Sequence, residues 1–198
     1  MPLTPNMISC ITFAISVAGA VSAARGGWLP VMVGAFLFQW ASILDGVDGE
    51  LARVRFQHSK LGQWLDTLSD DASNVLFYAG LGIGARSLPF GEVLMGCGLA
   101  SSLLHVITSA IHYQELIGLG SGDLYAIDWG FDKEPPRGLS GRLLVFFRNV
   151  VKKDFATLFF FVLSVFGVLA WFLPGIVIAQ VSALVAAVAR RVRRARAG

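Results

Sequence analysis

This sequence predicts an all-α integral membrane protein: six transmembrane helices, with an interfacial amphipathic helix beside them. Three observations carry that expectation. Hydrophobic residues make up 55% of the 198 positions and charged residues only 15%, a balance that suits one membrane-embedded domain over 1–198 rather than a soluble one. The apolar residues gather into six runs of about spanning length. The charges fall between those runs, and the cations fall mostly on one side of them.

The first run, Met7–Ala24, follows MPLTPN, which lacks the basic segment of a secretory signal, so a retained helix is expected. Thr4-Pro5-Asn6 reads as the turn that starts it. The second run begins after Pro30 and leads straight into an acidic stretch, placing Asp45 and Asp48 at its far end. Gly62–Gly84 is the third and Gly91–Gln114 the fourth. Glycines at 80, 82, 84, 96 and 98 read as permits for close helix packing. In the fourth run Ser101, His105, Ser109 and His112 fall near one stripe, which reads as the lining of a helix–helix contact or a polar cavity rather than a metal site.

A polar insert follows from Gly118 to Arg137. Its GLGSGD segment succeeds no strand and opens no βαβ unit, so it reads as a flexible loop and not as a phosphate-binding one. Over 139–153 the pattern turns amphipathic. Leu143, Leu144, Phe146, Phe147, Val150 and Val151 share one face, and Arg142, Arg148, Asn149, Lys152 and Lys153 the other. Such a helix lies in the interface and attracts anionic headgroups, or presents its cations to an anionic acceptor. Phe155–Leu173 is the fifth run, and Pro174 restarts the chain into a sixth that ends at Ala189. Cys10 and Cys97 sit in apolar runs without metal-ligand spacing and read as small buried hydrophobes.

Charge fixes the expected orientation. With the loop after the second run in the cytoplasm, both termini lie inside. Fourteen of the sixteen Lys and Arg residues then lie inside too, with only Arg25 and Arg86 outside, as the positive-inside rule requires.

The chemistry concentrates in DGVDGELARVRFQHSKLGQWLDTLSD, residues 45–70. Asp45 and Asp48, three apart, share one helix face; Asp66 and Asp70, four apart, share one on the next. A short basic link (Arg53, Arg55, His58, Lys60) lets the two helices pack antiparallel with their carboxylates facing each other. Four like charges need compensation, and a hard divalent cation that leaves positions open for phosphate oxygens supplies it. An ion or proton transporter, or a non-catalytic scaffold, is the competing class. A transport pathway would spread its carboxylates along several spans, whereas these cluster at one end.

The pattern Asp45-x2-Asp48-Gly49-x2-Ala52-Arg53-x8-Gly62-x3-Asp66-x3-Asp70 resembles the signature of the CDP-alcohol phosphotransferase (CDP-alcohol phosphatidyltransferase) family at every fixed position. The resemblance implies transfer of a phosphoryl-alcohol group from a CDP-alcohol to a second hydroxyl, with release of CMP, in phospholipid or inositol phosphodiester synthesis. It implies Mg²⁺ or Mn²⁺, two ions, on Asp45, Asp48, Asp66 and Asp70, with Asp70 as general base. Gly49, Ala52, Arg53 and Gly62 would serve the nucleotide, with Asn6 beside its pocket. Asp71 falls outside the signature and has no implied role. The partners implied are the CDP-alcohol, an alcohol acceptor, membrane lipids and a second copy of the chain, with no nucleic acid. The setting implied is a bacterial or archaeal type of cell membrane, with the active site facing the cytoplasm. The basic stretch leading into VKKDF is similar to the branch acting on inositol phosphates.

Overall fold

The computed structural model describes residues 5–54, 60–122, 124, 127 and 153–197, without the side chains of 5–6, 47–54, 153–154 and 195–197. Among these residues there are helices and no strands. The helices are α1 (Pro5–Ala24), α2 (Trp28–Val54), α3 (Lys60–Gly84), α4 (Gly91–Leu119), α5 (Lys153–Val165) and α6 (Leu173–Ala197), with 3₁₀ turns at Ala85–Ser87 and Leu169–Phe172.

The surface of α2 shows what solvent these helices are built for. Leu29, Val33, Phe36, Trp40 and Ile43 recur every three or four residues and are 39–56% exposed. On the opposite side Ala35, Phe38, Ala41 and Ser42 are buried. Large apolar groups outward and small or hydroxylated ones inward is the pattern of a helix facing lipid. Four helical segments are long and apolar enough to cross a membrane: Met7–Ala24, Trp28–Gly46, Gly91–Leu119 and Leu169–Arg194. The third run is interrupted by Asp66, Asp70 and Asp71, and the apolar part of α5, Phe155–Val165, is short.

Two boundaries differ from the sequence reading. α2 does not stop at its carboxylates but continues to Val54, so Asp45 and Asp48 lie within the helix, about two turns or more before its end. The fifth run breaks early, after Val165, because Gly167 turns left-handed (φ 70°) and the chain passes through the 3₁₀ turn before Leu173 starts α6. Pro174 sits in the first turn of α6, where its missing N–H costs no intrahelical bond. The interfacial helix expected over 139–153 lies outside the described residues, save for Lys153 at the start of α5.

The order of packing is not the order of the chain. α1 lies along both α2 and α3, while α2 and α3 touch each other over a short stretch only. Among the described residues the two carboxylate helices therefore pack mainly through α1 rather than directly on each other. Small residues make this possible: a Cβ on Gly84 would stand 2.0 Å from the Ala23 carbonyl oxygen. Beyond this trio α4 packs on α3, α6 on α4, and α5 on α2. α3 and α4 meet at Gly82 and Gly98, where a Cβ on Gly98 would fall 2.6 Å from the Gly82 Cα. Gly96, by contrast, faces open space. Phe38 of α2 stacks on Phe77 of α3 with ring centroids 4.2 Å apart, and Phe160 of α5 stands against Phe77 at 6.2 Å. Trp28 fastens the far end, its Nε1 donating to the Val165 carbonyl at 3.0 Å.

Candidate active site

A small pocket opens where the first three helices converge. Its lining is Thr12, Phe13 and Ser16 from α1, Phe38, Ala41, Ser42 and Asp45 from α2, and Ser69, Asp70 and Ser73 from α3. Helical spacing explains the selection: Ser42 precedes Asp45 by three residues, Ser73 follows Asp70 by three, and Thr12 and Ser16 are four apart. Two carboxylates predicted from spacing on separate helices thus come to one cavity. Asp66 lies one turn before Asp70 on α3 and is partly buried. Asp48 lies one turn after Asp45 on α2, and its side chain is outside the described residues.

The hydroxyls were not anticipated. Ser69, Ser73, Ser42, Thr12 and Ser16 give the pocket a polar wall inside an otherwise apolar bundle. Two of them bond their own helix: Thr12 donates to the Ser9 carbonyl at 2.8 Å and Ser73 to the Ser69 carbonyl at 2.7 Å, the back-bonding open to hydroxyl residues in helices. The signal was present as Ser and Thr one turn from each carboxylate. It is weak because such residues are also ordinary at helix contacts.

The remaining predicted positions are placed only in part. Gly49, Ala52 and Arg53 occupy the last turns of α2, and Asn6 the first turn of α1, all without described side chains. Gly62 is partly buried in the first turn of α3. Arg142, Arg148 and Lys152 lie outside the described residues. Among the described residues no three His, Cys, Asp or Glu side chains converge as a metal cage; Asp48, the missing fourth carboxylate, falls outside that set. The oxygen-only donors at Asp45 and Asp70 fit a hard cation and no soft one.

A second polar cluster adjoins the first. Asp71 accepts hydrogen bonds from His105 Nε2 at 3.0 Å and from the Tyr113 hydroxyl at 2.5 Å. Farther along α4, His112 meets Arg190 of α6 at 3.1 Å, Gln114 accepts from Arg191, and Glu115 pairs with Arg194 at 3.3 Å. The histidine stripe therefore lines helix–helix contacts, as its spacing suggested. The arginines of the tail, legible as orientation markers, also bind α6 to α4.

The GLGSGD segment is more firmly held than a flexible loop would be. Gly120 ends α4 in the left-handed conformation (φ 66°). The Gly122 carbonyl then accepts from Thr67 at 2.8 Å and its N–H donates to Gln63 Oε1 at 3.4 Å. A Cβ on Gly122 would lie 2.8 Å from the Trp64 backbone nitrogen, so only glycine fits this seat on α3.

Comparison with known proteins agrees with this geometry. A stretch of the chain is 40% identical over 84 residues to a bifunctional IPC transferase and DIPP synthase of Rubrobacter xylanophilus, covering 42% of this chain and 19% of that protein. Proteins of the same description from Thermococcus kodakarensis (37% over 68 residues; 34% and 15%) and Aquifex aeolicus (35% over 78 residues; 39% and 17%) are also similar. The matched stretch thus spans under a fifth of the length of each of these relatives. The profile of one family, CDP-alcohol phosphatidyltransferase, matches residues 2–128. That span holds the first four helices, the pocket between the first three and every carboxylate of the 45–70 stretch, and by it the chain belongs to the CDP-alcohol phosphatidyltransferase family.

Proposed function

We propose that this chain transfers the phosphoryl-alcohol group of a CDP-alcohol to the hydroxyl of a second alcohol, forming a phosphodiester and releasing CMP. The observation that carries the reading is the meeting of Asp45 and Asp70, from two helices, at one hydroxyl-lined pocket in a chain of this family. Carboxylates brought together at a membrane bundle repel one another unless a cation stands between them. Asp45, Asp48, Asp66 and Asp70 would hold Mg²⁺ or Mn²⁺, two ions by the family resemblance. When bound, the metal neutralises the diphosphate and the charge that grows on the leaving phosphate.

The chain's own groups do the rest. Asp70 takes the proton of the acceptor hydroxyl as that oxygen attacks the phosphorus carrying the first alcohol. The bond from this phosphorus to the oxygen of CMP breaks, and CMP leaves with the electron pair. Gly49 lets the nucleotide approach the backbone of α2, Ala52 keeps that face narrow, and Arg53 grips a phosphate. Gly62 admits α3 closely, and Asn6 stands at the nucleotide end. The first four rest on their motif positions alone, and Asn6 on the family resemblance of the chain's opening residues.

For the acceptor we propose an anionic alcohol such as an inositol phosphate. The shared description of the relatives supports this, as does the basic face of Arg142, Arg148, Lys152 and Lys153 in the sequence. All six helices would span the membrane, since successive helices alternate in direction: Gly19 meets Gly34, Gly82 meets Gly98, and Trp28 meets Val165. The pocket and both termini would face the cytoplasm, and two copies would pair. The decisive experiment incubates the purified protein with Mg²⁺ and a panel of CDP-alcohols and acceptors while CMP release is followed. Release with at least one pair is expected. No release from any pair, with ion flux in liposomes, would replace the enzyme by a transporter; neither activity would leave a scaffold.

A further inference from the structure

Asp71 is a half-buried carboxylate that the transfer reaction does not use. It follows Asp70 directly, about 100° further around α3, so it looks away from the pocket that Asp70 lines. Its partners come from a single stripe of α4: His105 and Tyr113, eight residues apart with Ser109 midway between them. The carboxylate of Asp71 is 17% exposed and the ring of His105 19%. Because Asp71 can only accept, Nε2 of His105 donates to it, and Nδ1 is turned toward α6. Gln180 of α6 faces that nitrogen, its Nε2 3.4 Å away. His105 therefore links three helices. Rings brace the cluster on both sides: Tyr78 stands edge-on to His105 at 6.1 Å, and Trp64 edge-on to Tyr113 at 5.7 Å.

A further charge beside four carboxylates is costly in a membrane bundle, and packing alone does not require it, since a neutral residue would fill the same space. What the carboxylate adds is direction. Two donors on one stripe of α4, His105 and Tyr113, define the rotation of α3 about its own axis at the turn that carries Asp70. We propose that Asp71 is a positioning residue: gripped by His105 and Tyr113, it sets the rotation of α3 and thereby where Asp70 stands in the pocket. The inference deepens the phosphotransfer reading and rests on it for its kinetic consequence, but its geometric content is independent.

Two measurements test it. In the first, Ser42→Cys and Ser73→Cys are introduced on opposite walls of the pocket, with Cys10 and Cys97 replaced by alanine, and the rate of closure by a short bis-thiol reagent is read. His105→Leu, which keeps the Asp71 charge and removes the ring donor, should change that rate severalfold. His105→Gln, which restores an N–H donor, should return it toward the starting value. In the second, CMP release is compared: His105→Leu and Tyr113→Phe should lower kcat on the order of 10- to 100-fold with the KM for the CDP-alcohol nearly unchanged, and His105→Gln should recover most of the rate. A cross-linking rate indifferent to His105→Leu overturns the proposal, whatever the enzyme does. Altered cross-linking in a protein that releases no CMP upholds the positioning role and defeats the phosphotransfer reading instead. If His105→Leu loses rate only in proportion to a lowered melting temperature, and His105→Gln rescues neither, the cluster is structural and the proposal falls.

Discussion

Asp70 and Asp45 share a pocket but are not interchangeable, and amide substitution separates their roles. Asp70→Asn removes a proton acceptor while keeping an oxygen donor, so turnover should vanish with nucleotide affinity close to that of the parent. Asp45→Asn and Asp66→Asn remove charge from the cation's ligands and should weaken both metal and CDP-alcohol binding. Titration calorimetry in detergent, set beside CMP release, reads the difference; equal loss of affinity in all three would dissolve the division of labour. The spacing of these carboxylates was legible because three and four residues define one helix face whatever the surroundings. The partners of Asp71 were not. Tyr113 and His105 reach it only through the register of α4 on α3, which is set where Gly82 meets Gly98 far from the acidic cluster. A stripe of four-residue spacing in α4 pointed to a contact without saying what it touched.

Helix contacts in this bundle depend on backbones lying close together, so adding side chains at them should be costly in proportion to what they strike. Gly84→Leu drives a side chain into the Ala23 carbonyl, 2.0 Å from the first added carbon, and overpacking of this kind costs roughly 1–3 kcal/mol or more. Gly96→Leu meets nothing within 4 Å and should change stability by about 0.5 kcal/mol or less. Melting in detergent compares the two; similar losses would mean that the approach of α1 to α3 is not what the glycines serve. The sequence marked both positions alike, since a glycine does not announce which neighbour it admits. The break after Val165 was hidden for a related reason. The apolar run continues through Gly167 without change of composition, and only the left-handed glycine and the turn behind it end the helix. For the basic stretch over 139–153, Arg148→Ala should raise the KM for an anionic acceptor in neutral detergent while that for the CDP-alcohol holds. Loss of activity confined to anionic bilayers would make the stretch a lipid anchor.

For the molecule as a whole, the proposed six-pass arrangement makes a labelling prediction. In a chain with Cys10 and Cys97 replaced, a cysteine at Ser87 should react with an impermeant thiol reagent in intact cells. One at Lys60 or Arg193 should react only after the membrane is opened. Reaction of Lys60→Cys from outside would invert the assignment of the pocket to the cytoplasm. The packing order also bears on how such a chain assembles. α1 and α2 can associate as a hairpin as soon as both are inserted, and their glycine contact at 19 and 34 asks nothing of the rest. The other flank of α1 stays vacant until α3 arrives, bringing three aspartates that make it a poor candidate to enter lipid unaided. If the helices enter in chain order, α1 would serve as a docking rail: the acidic helix would be received by a partner already in the bilayer, and its charges would reach their place along protein rather than lipid.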